Sequence, residues 1–221
     1  MTDLILFGVL PYIAVTVAVC GIVYRYSSDR YSLSSQSSQF LESRMLFWGT
    51  VPWHYTIVPI LFAHLLAFLV PTAWGTLLGR PLRLYLVEIS GMALGLVAVV
   101  AMVVLIVRRS SNQRITPVTT VIDWVLLAVL LLQVATGVYI AVTLRWGSLW
   151  YLHTATPWLW SLVQLDPQVA YMAVMPVVVK VHAVNAFLLL VLLPFSRLIH
   201  MISVPLAYLG RSAQVVVWYR R

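Results

Sequence analysis

Charge, cysteine and lysine are scarce in this chain. Only 9% of its 221 residues are charged, against about 25% in soluble proteins, and 62% are hydrophobic. So few charged side chains cannot cover a water-exposed surface, which excludes an ordinary soluble domain. The one cysteine, Cys20, rules out an internal disulfide, and the lack of a Cys-x-x-Cys-His run rules out covalently attached c-type haem. All but one of the 14 basic residues are arginine, mostly in short polar loops. Membrane topology therefore explains the formal charge of +8 better than nucleic acid does. No positive stretch precedes the first apolar run, a poor fit to a secretory signal, so that run is expected to stay attached. No internal repeat of useful strength is visible.

What the chain has is long apolar runs. Five reach membrane length, at about 5–24, 48–70, 84–107, 121–144 and 173–202. They predict an all-α integral membrane bundle of five transmembrane helices forming one domain over residues 1–221. Pro52, Pro59 and Pro71 punctuate the second span, and Pro194 predicts a bend in the fifth. Ser90, Gly91, Ala93 and Gly95 in the third permit close helix approach. The connection from Arg145 to about Val169 carries Trp146, Trp150, Tyr151, Trp158 and Trp160, an aromatic density that fits the headgroup level. Arg25, Arg30, Arg44, Arg108, Arg109, Arg114, Arg197, Arg211, Arg220 and Arg221 fall on one side of the bundle. Arg80, Arg83, Arg145 and Lys180 fall on the other. This bias predicts an outer N-terminus and a cytoplasmic C-terminus.

Four of the five histidines lie inside or at the edges of these runs. Eighteen positions separate His182 from His200, about five turns, so an unbroken helix puts both imidazoles on one face roughly 27 Å apart. His54 and His64 are about 15 Å apart along their helix and differ by about 80° in direction. With the predicted orientation, depth pairs His64 with His182 towards the outside and His54 with His200 towards the inside. Zinc and copper sites need donors spaced closely along the chain, and these are too far apart on each helix to share an ion. A flat macrocycle held by one imidazole from each of two facing helices fits better, and two filled axial positions mean electron transfer. A single intramembrane histidine is as readily a packing residue as a ligand; four that pair by depth favour two haems. His153, in the aromatic connection, reads as a surface histidine. Asp123 reads as a cap for the fourth span, without a catalytic role.

Leu193-Pro194-Phe195-Ser196-Arg197-Leu198-Ile199-His200, followed by Ser203-Val204-Pro205 and Tyr208-Leu209, resembles the C-terminal signature of the gamma subunit of respiratory nitrate reductase. Pro11-Tyr12-Ile13-Ala14, Arg25-Tyr26, Ser38-Gln39 with Leu41, the His54/His64 spacing, and Thr119-Thr120 with Asp123, Gln133 and Gly137 are similar too. The resemblance covers nearly the whole chain. It implies a membrane dihaem cytochrome b with two haem b groups and the axial ligands His54, His64, His182 and His200. It further implies oxidation of quinol (menaquinol or ubiquinol) near the outer face of a bacterial or archaeal cytoplasmic (inner) membrane. Electrons would pass to an iron–sulfur beta subunit and a molybdenum-containing catalytic alpha subunit on the cytoplasmic side.

The lysine that the family places near its quinol site after the second span is absent here, and Arg83 or Arg80 stands in its place. Within this reading Arg83 orients a quinone oxygen and Glu88 serves proton release. Arg114 and Arg197 pair with haem propionates. Two other readings stay open at this point. One is the cytochrome b of a different quinone-linked reductase, acting on sulfur compounds or heterodisulfides. The other is a haem-free membrane anchor or transporter, although a transporter is expected to show repeats around a midplane site.

Overall fold

The computed structural model describes residues 1–29, 33, 38 and 40–202. Arg30, Gln39, the Ser203-Val204-Pro205 and Tyr208-Leu209 stretches, Arg211, Arg220 and Arg221 lie outside the described residues. Eight helices organise the rest: α1 (Thr2–Ser28), α2 (Arg44–Leu69), α3 (Pro71–Leu78), α4 (Pro81–Ser111), α5 (Val121–Thr143), α6 (Gly147–His153), α7 (Ala155–Val163) and α8 (Val177–Leu192). Among the described residues there is no strand. Five helices are long and apolar enough to cross a membrane: α1, α2, α4, α5, and α8 with the turn that extends it to Phe195. Large apolar side chains such as Phe62, Leu65, Val100 and Val142 stand exposed on them, as lipid-facing positions do. Neighbour contacts run α2–α4–α5–α8–α1. Proline at the first position starts both α3 and α4, where its missing N–H costs nothing.

The two glycines of the third span differ in their part in close packing. A Cβ on Gly95 would stand 2.9 Å from Val138, so this glycine lets α4 and α5 approach. Gly91 faces open space and plays no such part.

The tryptophan-rich connection does not simply lie at the surface. Trp158 is 2% exposed and belongs to a core with Phe7, Ile140, Leu162, Met172 and Val179. Residues Ile5–Val9 of α1 form a π turn, and the Phe7 carbonyl within it accepts from Trp158 Nε1 at 2.9 Å. The same two rings meet edge to face at 5.7 Å. Tyr12 Oη donates to the Leu162 carbonyl, and Trp160 Nε1 to the Phe68 carbonyl, both at 2.9 Å. These bonds fasten α7 onto the start of α1 and the end of α2. Trp158→Phe leaves the buried Phe7 carbonyl without its side-chain donor and is expected to cost about 1–3 kcal/mol, read as a lowered unfolding midpoint in detergent. Trp160→Phe, at a half-exposed position, is expected to cost less than about 1 kcal/mol.

The fifth span differs from its sequence-based outline. A helical turn at Ala170–Ala173 and Pro176 precede α8, which ends at Leu192. Leu193–Phe195 tightens to a 3₁₀ turn, Ser196 is extended (φ −125°, ψ 179°), and Arg197–Met201 forms a second 3₁₀ turn. Pro194 supplies no N–H to continue the helix, and Ser196 Oγ caps the new turn by accepting from the Leu198 amide at 3.3 Å. His200 is therefore not on one helix with His182. The five-turn spacing, the shared face and the 27 Å separation do not apply.

Candidate functional site

His54 and His64 lie on α2, and each ring folds back one turn along its own helix. His54 Nδ1 is 2.8 Å from the Thr50 carbonyl, and His64 Nδ1 is 2.8 Å from the Ile60 carbonyl. Helical side chains lean towards the preceding turn, which brings the ring within reach of the carbonyl four residues back. His200 makes the equivalent bond inside its 3₁₀ turn, 2.6 Å to the Arg197 carbonyl. A carbonyl only accepts, so in all three rings Nδ1 carries the proton.

His182, on α8, reaches the same state across a helix interface. Its Nδ1 is 2.9 Å from Thr136 Oγ1 on α5. The Thr136 hydroxyl already donates to the Leu132 carbonyl at 2.7 Å, so towards His182 it accepts. Asn185 Nδ2 donates to Gln133 Oε1 at 2.7 Å and to the Val129 carbonyl at 2.9 Å. That contact turns the Gln133 amide nitrogen towards His182 Nε2, at 3.1 Å. A Cβ on Gly137 would stand 3.2 Å from His182 Cε1, so this glycine makes room for the imidazole against α5. All four histidines thus donate through Nδ1; Nε2 of His54, His64 and His200 has no partner among the described residues, and Nε2 of His182 accepts from Gln133. His153, on α6, is exposed, and its ring has no such bond among the described residues.

The four rings fall into two groups. His54 and His200 have ring centres 6.0 Å apart with planes inclined by 64°. His64 and His182 lie within electrostatic range of each other. Tyr151 of α6 packs edge-on against His64 at 5.5 Å, and burial pushes its phenol up to about 12, so it stays protonated. Among the described residues no three His, Cys, Asp or Glu gather as an ion cage would require. Each group can instead offer one imidazole nitrogen from each of two separate segments.

The remaining candidates are more scattered. Arg83 is exposed and its side chain has no partner among the described residues. Glu88 Oε1 accepts from the Ser148 amide at 2.8 Å and from the Ser148 hydroxyl, which ties α4 to the first turn of α6. Among the described residues no bond joins Arg83 to Glu88. Arg114 is exposed, and among the described residues its main-chain amide is engaged by Asn112 Oδ1 at 2.9 Å while its side chain has no partner. Arg197 is held by Asp123, with Nε 2.6 Å from Oδ1 and one terminal nitrogen 3.2 Å from Oδ2. Asp123 is also the third residue of a capping box: Thr120 Oγ1 accepts from its amide, and its Oδ2 accepts from the Thr120 amide.

Reading the sequence by histidine alone passes over Thr136, Asn185 and Tyr151. A signal was available for part of this. Gln133, Thr136 and Gly137 sit at i, i+3 and i+4 on one face of α5, and polar groups so deep in an apolar run need partners.

Comparison with known proteins agrees with this framework. A family model described as the nitrate reductase gamma subunit matches residues 3–219. The nitrate reductase gamma chain of Bacillus subtilis is 30% identical over 224 residues, covering all of both chains. The respiratory nitrate reductase 2 gamma chain of Escherichia coli is 28% identical over 95% of this chain and 94% of its own length. The nitrate reductase-like protein NarX of Mycobacterium tuberculosis is 30% identical over 92% of this chain, which spans 32% of that longer protein. With five apolar spans and a match that runs almost from end to end, the chain belongs to the nitrate reductase gamma subunit family.

Proposed function

We propose that the chain is the quinol-oxidising dihaem cytochrome b subunit that anchors a nitrate reductase in the bacterial or archaeal cytoplasmic membrane. The observation that carries this reading is the His54–His200 pair. Two imidazoles ligating one iron from opposite sides have ring centres about 6 Å apart, from an iron–nitrogen bond of about 2 Å and about 1.1 Å from nitrogen to ring centre on each side. The rings here arrive from two separate segments at 6.0 Å, each with its Nδ1 proton given to a carbonyl. That back-bonding leaves Nε2 as the ligating atom and raises its basicity. At the other pair, the Gln133 amide engages Nε2 of His182 and must yield it on ligation.

Two haem b groups, when bound at His64/His182 and His54/His200, supply one-electron carriers between quinol and the partner subunits. Each quinol gives up two electrons and two protons. The arginine bias places the His64/His182 end outside and the His54/His200 end in the cytoplasm. There an iron–sulfur beta subunit and a molybdenum-containing alpha subunit receive the electrons. Arg83, at the outer start of α4, orients the quinone oxygen. Glu88, fixed by Ser148, is a carboxylate at that end that takes protons outward. Arg114 and Arg197 meet the propionates at the cytoplasmic end.

The test is a dithionite-reduced-minus-oxidised visible spectrum, with a haem count, on the chain purified with its partner subunits. Two b-type haems per chain, reducible by a quinol analogue, are expected. One haem breaks one of the two pairs. None after haem-replete expression overturns the reading and leaves a haem-free anchor or transporter.

A further inference from the structure

The tether on the last described segment assigns a role to a residue that belongs to neither histidine pair. We infer that Asp123 is a positioning residue for His200: it grips Arg197, whose own carbonyl orients the imidazole. The inference rests on the proposed pairing of His54 with His200 about one iron.

The need for a tether follows from the break after α8. A ligand on a continuous helix is placed by that helix. His200 sits beyond Pro194 and an extended Ser196, in a short 3₁₀ turn with no helical ladder leading to it. Two hydrogen-bonded contacts among the described residues help to bring this segment back onto the bundle. Arg25 of α1 donates to the Pro194 carbonyl at 2.5 Å, which fixes the start of the break. Asp123 of α5 receives Arg197 through two nitrogens, at 2.6 and 3.2 Å, a fork geometry that fixes direction as well as distance. The same residue closes the chain of contacts, because the Arg197 carbonyl accepts from His200 Nδ1 at 2.6 Å. One arginine is thus held at its guanidinium and holds at its carbonyl.

Asp123 is itself immobilised. Its side chain is 3% exposed. Oδ2 accepts from the Thr120 amide at 3.1 Å and from Arg109 of α4 at 3.3 Å. Arg109 in turn reaches Thr119 Oγ1 at 3.2 Å. The carboxylate therefore links α4, the start of α5 and the segment bearing His200. A helix cap alone explains the Thr120 contacts; it does not explain two arginines converging from different segments.

The experiment uses the complex with its partner subunits and reads the low-spin ferric haem signals by electron paramagnetic resonance. His200→Ala first identifies the inner signal as the one it removes. If His200→Ala leaves both signals unchanged, the haem pairing fails, independently of the tether. Asp123→Asn is expected to shift or abolish that inner signal and to leave the outer one in place. Asp123→Glu keeps the charge, and a glutamate at this position still closes a capping box, but it moves the carboxylate by one methylene. It is expected to shift the same signal by less, and it carries the test if Asp123→Asn does not accumulate. Arg109→Gln removes the other arm and leaves Arg197 in place, so the inner signal is expected to stay put. An inner signal unmoved in either Asp123 variant, with the chain at wild-type level, overturns the inference. An equal shift in Arg109→Gln also overturns it, because the charged cluster as a whole would then be responsible.

Discussion

His182→Ala is expected to halve the haem content, from two per chain to one, and to abolish reduction by a quinol analogue in the same step. The imidazole lies between Thr136 and Gln133 and takes its hydrogen bonds from another helix, α5. Its loss should not unfold the protein. Thr136 keeps its donation to the Leu132 carbonyl, and Asn185 keeps both its acceptors. The Gln133 amide nitrogen loses its acceptor and Thr136 Oγ1 the N–H it accepts, a cost of about 1–3 kcal/mol. The remaining haem should still reduce with dithionite, since His54 and His200 make none of their described contacts with this network. Dithionite-reducible but quinol-inert chains are therefore the expected product. Both haems retained in a stably folded His182→Ala variant would refute the assignment of His182 as a ligand.

Much of this arrangement is legible in the residues, for reasons that can be named. Apolar runs of membrane length have one stable solution, a helix, so all five spans can be read. Histidines in such runs stand out because an ionisable group there is costly. The proposed pairing needed only the direction of each span. What could not be read depends on distant partners. Pro194 announces a bend, but the extended Ser196 and the reversal after it are fixed by Arg25 and Asp123, far away in sequence. An arginine near a membrane edge reads as an anchor, and nothing local to Arg197 points to a carboxylate 74 positions earlier. Trp158 and Trp160 flank the same Leu159 in sequence; the carbonyl of Phe7 in the π turn of α1, which receives the core indole, and that of Phe68, which receives the half-exposed one, set them apart.

Arg108→Ala is expected to destabilise the protein by about 3 kcal/mol. Arg108 is 1% exposed although it lies in the last turn of α4. Its guanidinium donates to Glu42 Oε2 at 2.7 Å and to the Glu42 carbonyl at 2.8 Å. It also donates to Ser38 Oγ and to the Ser38 carbonyl, each at 3.1 Å. One side chain thus gathers Ser38 and Glu42, from the loop between α1 and α2, onto α4. Glu42 passes the effect on, because its two oxygens accept from the Met45 and Leu46 amides, the open N–H groups at the start of α2. Removing one partner of a largely buried pair costs about 3–5 kcal/mol; Glu42 keeps some contact with solvent, which favours the lower end. For a chain of this size that is roughly a 6–12 °C fall in apparent melting temperature, measured in detergent. Arg108→Lys keeps a charge but loses the fork, and should recover only part of the loss. The pH dependence supplies an independent check. Burial alone would raise the Glu42 carboxyl, but the Met45 amide, Arg108 and the Leu46 amide outweigh it and hold the group below its ordinary value. A carboxyl lowered by folding adds stability above its unfolded value of about 4.3, and that stability is lost as pH falls through the folded value. In Arg108→Ala the arginine's share of the lowering is gone, so the stability lost on acidification through Glu42 should be smaller and complete at a higher pH than in the wild type. An unchanged acid limb together with an unchanged melting temperature would show that the loop docks onto α4 without this arginine.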